Sequence, residues 1–364
     1  MRVRRRTVLF GSLLTTAIVV SLSAQSQTPT QPAQPPTGAQ APAAGQAPRR
    51  GPSPESLAVA GTRPAPSKAE YERWRTELSN WGRWGKEDQL GAVNLITPAK
   101  RKQAASLVKD GVSVSLAGDV NTERAIDNGQ PYEHVMTSAG PAGAGDTLAV
   151  SFHGYAHTHI DGFAHRFFDG KMWNGFSHEE VTKADGAKKN SIYNLHNGIV
   201  TRGVLIDIPR LKGVAYLEPG TRIFVEDIEA WEKQANVKVS AGDAVFIRTG
   251  RWARRAKTGA WNAAIENAGL DPSVLPWLKR RDVAILGSEG AQDAVPPPTG
   301  SELGGLALHD FALIVLGINL MDDTNLEALA QTAASHKRWE FLVMAGPLPV
   351  TNGTGSPINP IAVF

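Results

Sequence analysis

The run Ser151-Phe152-His153-Gly154-Tyr155-Ala156-His157-Thr158-His159-Ile160-Asp161, continued by Gly162-Phe163-Ala164-His165, holds four of the chain's nine histidines within thirteen residues. Every odd position from 153 to 161 is His, Tyr or Asp, and the even positions between them are Gly, Ala, Thr and Ile. Side chains alternate between the two faces of a β-strand, so a strand here would put His153, Tyr155, His157, His159 and Asp161 on one side. Each polar group buried there without a partner costs roughly 1–3 kcal/mol. A solvated surface strand is the plain alternative, but a divalent cation answers the whole constellation at once. The chain has no cysteine, so a metal must be held by His, Asp or Glu, the ligand types of catalytic Zn²⁺ and Mn²⁺ sites with an open position for water.

Around this segment, apolar β-rich runs alternate with helical patterns. Gly203–Ile208 and Ala244–Arg248 read as buried strands, and Val283–Leu286 and Phe311–Leu316 as further buried segments. Thr97 caps a helix with Pro98 at its first position that runs to Val108. Residues 221–235 begin as a loop and continue as a helix with Glu226 and Asp227 in its first turn, and Asn325–Arg338 is another helix. The pattern predicts one mixed α/β domain over 68–364.

The second half of the histidine run, Thr158-His159-Ile160-Asp161 followed by His165, resembles the signature of the cyclase family, His-x-Gly-Thr-His-x-Asp-x-x-x-His, whose members include bacterial kynurenine formamidase and isatin hydrolase. The resemblance implies His159 and Asp161 as metal ligands and His165 as the catalytic histidine beside the metal. The first half departs from it: Tyr155 stands where the family has its first His ligand, and His157 where it has Gly. Either His157 takes over that coordination or a local shift brings in His153; of the two we expect His157. The segments Asn80–Gly85, Gly91–Pro98, Asp243–Gly250 and Gly353–Ile358 resemble other parts of the family. So does His309, with Asp322 thirteen residues later, where the family places a His and then a Glu at the metal. His309 is accordingly expected as a fourth ligand and Asp322 as a weaker candidate. The resemblance also implies a swivelling β/β/α barrel, a Zn or Mn ion, and a homo-oligomer, dimer or tetramer.

The formal charge of +3 comes from the first residues, for Arg2, Arg4, Arg5 and Arg6 precede any acidic residue and the rest of the chain is at −1. No Lys/Arg block remains that could neutralise a run of phosphates, which argues against a nucleic-acid partner. Arginines followed by the apolar run Leu9–Leu22 and small residues read as an export signal over 1–24, of twin-arginine type, too short for a membrane span. This predicts an exported, periplasmic protein without a stable membrane span after cleavage. Residues 25–67 carry ten of the 24 prolines and no aromatic residue, the composition of an extended, mobile linker.

A metal so held can bring the pKa of a coordinated water toward about 7 and polarise a carbonyl. His165 is suited to take the proton and pass it to a leaving nitrogen. The expected activity is therefore hydrolysis of an amide, formamide or lactam bond in a small molecule, arylformamidase-like, with Trp173, Phe167 and Phe168 as an aromatic wall. No Gly-x-Ser-x-Gly elbow is present, and Gly287-Ser288-Glu289-Gly290 reads as a strand-end loop. Two rival readings stand beside this one, a cupin-like metal oxygenase on a jelly roll and a non-catalytic periplasmic protein that binds a metal or ligand.

Overall fold

The structure, a computed structural model, describes residues 51–364. The expected signal at 1–24 and the linker as far as residue 50 lie outside the described residues. Nine strands form one sheet: β1 (Ser113–Ser115), β2 (His159–Asp161), β3 (Ile199–Asp207), β4 (Ala244–Arg248), β5 (Ile285–Ser288), β6 (Asn319–Asp322), β7 (Glu340–Ala345), β8 (Gly355–Pro357) and β9 (Ile361–Val363). Their order is β1-β9-β7-β3-β4-β5-β6-β2-β8. Strands β3 to β6 pair in parallel, and every other pairing in the sheet is antiparallel. The sheet is curled into a half-barrel whose two ends stay open, so the barrel expected from the resemblance is only partly closed. Its parallel centre is not the jelly roll that the cupin-like reading required.

The central strands are apolar along their whole length because both faces are covered. Val204 and Ile206 of β3 and Val245 and Ile247 of β4 enter one core, with Ile228 and Trp231 of the helix Val225–Ala235 and Trp277 of the helix Leu275–Arg281. The alternate residues Leu205 and Phe246 enter the other, with Leu329 and Ala333 of the helix Glu327–His336. Phe246 fits because Gly287 opposite it has no side chain; a Cβ there would lie 2.5 Å from the ring. Emptying the Phe246 site would cost about 3–5 kcal/mol.

Two expectations need correction. Residues 51–67 are not all linker: Ser53 caps the helix Pro54–Ala60, the Ser56 hydroxyl donates to Glu266 at 3.1 Å, and Arg222 donates to the carbonyls of Ala60 and Arg63. These contacts with residues far along the chain could not be read from the local proline content. The expected long strand over 151–161 is extended only from His159 to Asp161. Its neighbours β6 and β8 pair with these residues alone, and upstream the Tyr155 carbonyl is taken by Arg251 rather than by a strand. Among the described residues no helix is long and apolar enough to cross a membrane.

Candidate metal centre

Strand β2 lies between β6 and β8, with Asp322 paired opposite His159 and Gly355 opposite Asp161. Asp161, 1 % exposed, is the hub. Its Oδ1 faces His153 Nδ1 at 2.9 Å and His159 Nε2 at 3.5 Å, while its Oδ2 faces His309 Nε2 at 3.1 Å and His165 Nε2 at 3.7 Å. Asp322 Oδ2 approaches the same His309 nitrogen at 3.5 Å. Two groups able to hold a metal thus share one carboxylate: His153, His159 and Asp161, and Asp161, His309 and Asp322.

The outer hydrogen bonds fix which lone pairs point inward. His159 Nδ1 donates to the His157 carbonyl at 2.8 Å, which leaves Nε2 free to ligate. His309 Nδ1 faces Asp310 at 3.3 Å, and Asp310 is gripped by both arms of Arg166 at 2.6 and 3.0 Å. Gln292 donates to Asp322 at 2.8 Å, and His153 Nε2 lies 3.1 Å from the Thr354 hydroxyl. A second partner of this kind on each ligand is the usual arrangement around a metal. The fit is shown by what is left over: His153 Nδ1 and Asp161 Oδ1 are buried and close, yet neither is aligned in a hydrogen bond. Such atoms are costly unless a cation lies between them, and imidazole with carboxylate suits a divalent one.

The charges agree. Burial opposes the ionised form of Asp161, but His153 and His309 hold its carboxyl well below the usual range. Burial likewise opposes protonation of His309, and Asp161, Asp310 and Asp322 outweigh it, holding the imidazole well above its ordinary value. A divalent cation supplies the balancing positive charge in place of such protons. Burial pushes His165 down to about 4, so its ring is a neutral base at neutral pH. It stacks flat on His153 at 3.8 Å, about a quarter exposed to solvent.

The structure therefore brings together His159, Asp161, His165, His309 and Asp322, and it places the expected first ligand, His157, elsewhere. The His157 ring turns away to the Gln130 carbonyl at 3.1 Å and the edge of Tyr132, and His153 stands in the group instead. The reason is the short β2: without a strand over 153–157, position 153 folds back beside Asp161. Of the expected aromatic wall, Trp173 is buried in the core, Phe167 packs beside His178, and only Phe168 lines a cavity, one of about 660 Å³ with Tyr71, Tyr155, Arg166 and Asp310.

The loop after β5 reaches the site through residues that carried no recognisable pattern. Asp293 accepts from the backbone N–H groups of Leu308 and His309, each at 2.8 Å, which fixes the start of the helix bearing His309. That helix continues as a π-turn over Ala312–Leu316. Its carbonyls at 314, 315 and 316 receive Trp81 Nε1 (2.6 Å), Asn80 N (3.0 Å) and Asn80 Nδ2 (2.9 Å). Only the adjacency of Gln292 and Asp293 to the expected strand-end loop could have hinted at their part.

The model of the Cyclase family matches residues 83–292. A crystal structure described as that of a novel cyclase is 30 % identical, with a TM-score of 0.71, and the match covers 80 % of this chain and 99 % of that one. Isatin hydrolase A from Ralstonia solanacearum is 20 % identical with a TM-score of 0.47, over 70 % of this chain and 92 % of its own. No curated protein sequence matches the chain.

Proposed function

The chain belongs to the Cyclase family, and from that membership we propose that it is a metal-dependent hydrolase that cleaves a carbon–nitrogen bond in a small amide, formamide or lactam. The observation that carries the reading is the shared Asp161 carboxylate, with buried imidazole and carboxylate groups converging on each of its oxygens. A Zn or Mn ion bound by His153, His159 and Asp161, or by Asp161, His309 and Asp322, would supply an activated water and polarise the scissile carbonyl.

The chain's own residues do the rest. His165, neutral and facing Asp161 through Nε2 at 3.7 Å, accepts the proton of the attacking water at that nitrogen. The Asp161 carboxylate stabilises the imidazolium that results, and the proton then passes to the leaving nitrogen. Arg166 is held by Asp310, so it positions the His309 ring rather than binding an anion. Phe168 and Tyr71 give the adjoining cavity apolar walls suited to an aryl group. The arginine-led leader supports export to the periplasm, and the family resemblance supports a homo-oligomer. His157 remains the alternative to His153 as first ligand.

The test is to load purified protein with Zn²⁺ or Mn²⁺ and assay aryl formamides, lactams, amides and esters. Turnover of a formamide or lactam, abolished by a chelator and restored by metal, is expected; a loaded protein that leaves every class intact contradicts the reading.

A further inference from the structure

His157 stands between His153 and His159 in the sequence, yet its ring joins neither metal group. The residue is 6 % exposed and is tied to the site by its backbone, whose carbonyl receives His159 Nδ1 at 2.8 Å. Its ring Nε2 faces the Gln130 carbonyl at 3.1 Å. A carbonyl only accepts, so the ring proton lies on Nε2 and Nδ1 keeps a lone pair. That Nδ1 is buried and has no hydrogen-bond partner among the described residues. Asn128, 1 % exposed, presents a second acceptor of the same kind. Its amide nitrogen donates to the carbonyls of Asn121 at 3.0 Å and Glu123 at 2.7 Å, which fixes the orientation of the amide, and its Oδ1 is likewise buried without a partner. Buried acceptors are ordinarily satisfied, so two of them around one cavity point to a donor that arrives with a ligand.

Both residues line a cavity of about 220 Å³ together with His153, a member of the first metal group. Ile126, Phe152 and Ala263 give this cavity apolar walls. The cavity of about 660 Å³ borders the second group instead, through Asp310, which faces His309 Nδ1 at 3.3 Å. Tyr155 lines both cavities, and Asp161 belongs to both groups. A substrate whose carbonyl lies at the metal therefore finds one cavity for each side of its scissile bond. The larger, with Tyr71 and Phe168, suits the aryl amine side. The smaller has room for a short acyl chain and meets it with the two unpaired acceptors.

We propose that the cavity beside His153 is the acyl subsite, in which His157 Nδ1 and Asn128 Oδ1 accept hydrogen bonds from a hydroxyl or amino group on the acyl part of the substrate. The inference rests on the hydrolase reading above and ranks its substrates: an anilide whose acyl chain carries a donor is preferred over one whose chain is apolar. A site built to bond a substrate hydroxyl rejects the analogue that lacks it, because its own acceptors are then left unpaired. His157 and Asn128 thus set specificity and take no part in bond cleavage.

The test uses two nearly isosteric anilides, 3-hydroxypropionanilide and butyranilide, and their product acids, 3-hydroxypropionate and butyrate, with metal-loaded wild type and His157→Phe. In wild type, kcat/KM should be about tenfold higher for the hydroxylated anilide, and its acid should bind about tenfold more tightly than butyrate in NMR titrations. In the variant, which keeps the bulk of the ring, metal content should match wild type and both preferences should fall to within about threefold. Equal handling of each pair by wild type overturns the proposal, and that comparison needs no variant to fold. A full preference that persists in the variant also overturns it, since the hydroxyl would then be held by the metal. Loss of metal from the variant overturns it by making His157 a ligand. Wild type that cleaves no amide, yet prefers the hydroxy acid and loses that preference in the variant, removes the hydrolase reading and upholds the donor site; an active wild type that handles each pair alike removes the subsite alone.

Discussion

The two groups that share Asp161 are assembled in opposite ways. His153, His159 and Asp161 lie within nine consecutive residues, and one of the three, His153, is a quarter exposed and held at its far nitrogen only by Thr354. His309 and Asp322 arrive from segments about 150 residues away along the chain, and both are buried. They are secured by Asp310 with Arg166, by Gln292, by Asp293 at the head of the helix, and by Asn80 and Trp81 at its tail. Local sequence spacing builds the first group and tertiary hydrogen bonding builds the second. The first should therefore yield to small steric changes nearby, and the second to loss of its distant supports.

Substitutions can separate the groups by size of effect. Asp161→Asn should be the most damaging, since it weakens both groups at once; we expect divalent-cation affinity to fall by more than about 100-fold, read by isothermal titration. Equal loss from Asp161→Asn and from a variant of a single group would show that only one group binds. Next, Gly355→Ala should disturb the first group most, because an added Cβ would lie 2.7 Å from the Ile160 carbonyl and 2.8 Å from the His153 ring. A loss of about tenfold in cation affinity is expected, and an unchanged affinity would mean that His153 is not held for binding. Smallest is His157→Ala: its ring faces Gln130, and it serves the site through a backbone carbonyl that alanine retains. Metal content within twofold of wild type is expected, and loss of the ion would restore His157 as the first ligand.

The same contrast explains what could be read from the sequence. The apolar runs at 203–208 and 244–248 and the cap at Thr97 need only local rules, and each is where the pattern puts it; Thr97 accepts from the Lys100 backbone at 3.1 Å. His159, Asp161 and His165 were legible because their spacing is local. The sequence favours His157 over His153 only where a strand runs through both 157 and 159, and a strand needs neighbours that here pair only with 159–161. Asp310, Gln292 and Asp293 are ordinary acidic or amide residues in sequence, and their roles exist only after β5 and β6 are side by side. The packed helix at 54–60 was hidden for the same reason, since its partners Arg222 and Glu266 lie far along the chain.

The central claim is that the convergence on Asp161 is a divalent-cation site. It is tested most directly by the metal content of protein purified with Zn²⁺ or Mn²⁺ supplied and then dialysed, measured by inductively coupled plasma mass spectrometry for wild type beside Asp161→Asn. One to two equivalents per chain in wild type, and less than about a tenth of that in the variant, is the predicted result. Wild type without a retained equivalent, or a variant that retains as much as wild type, would contradict it.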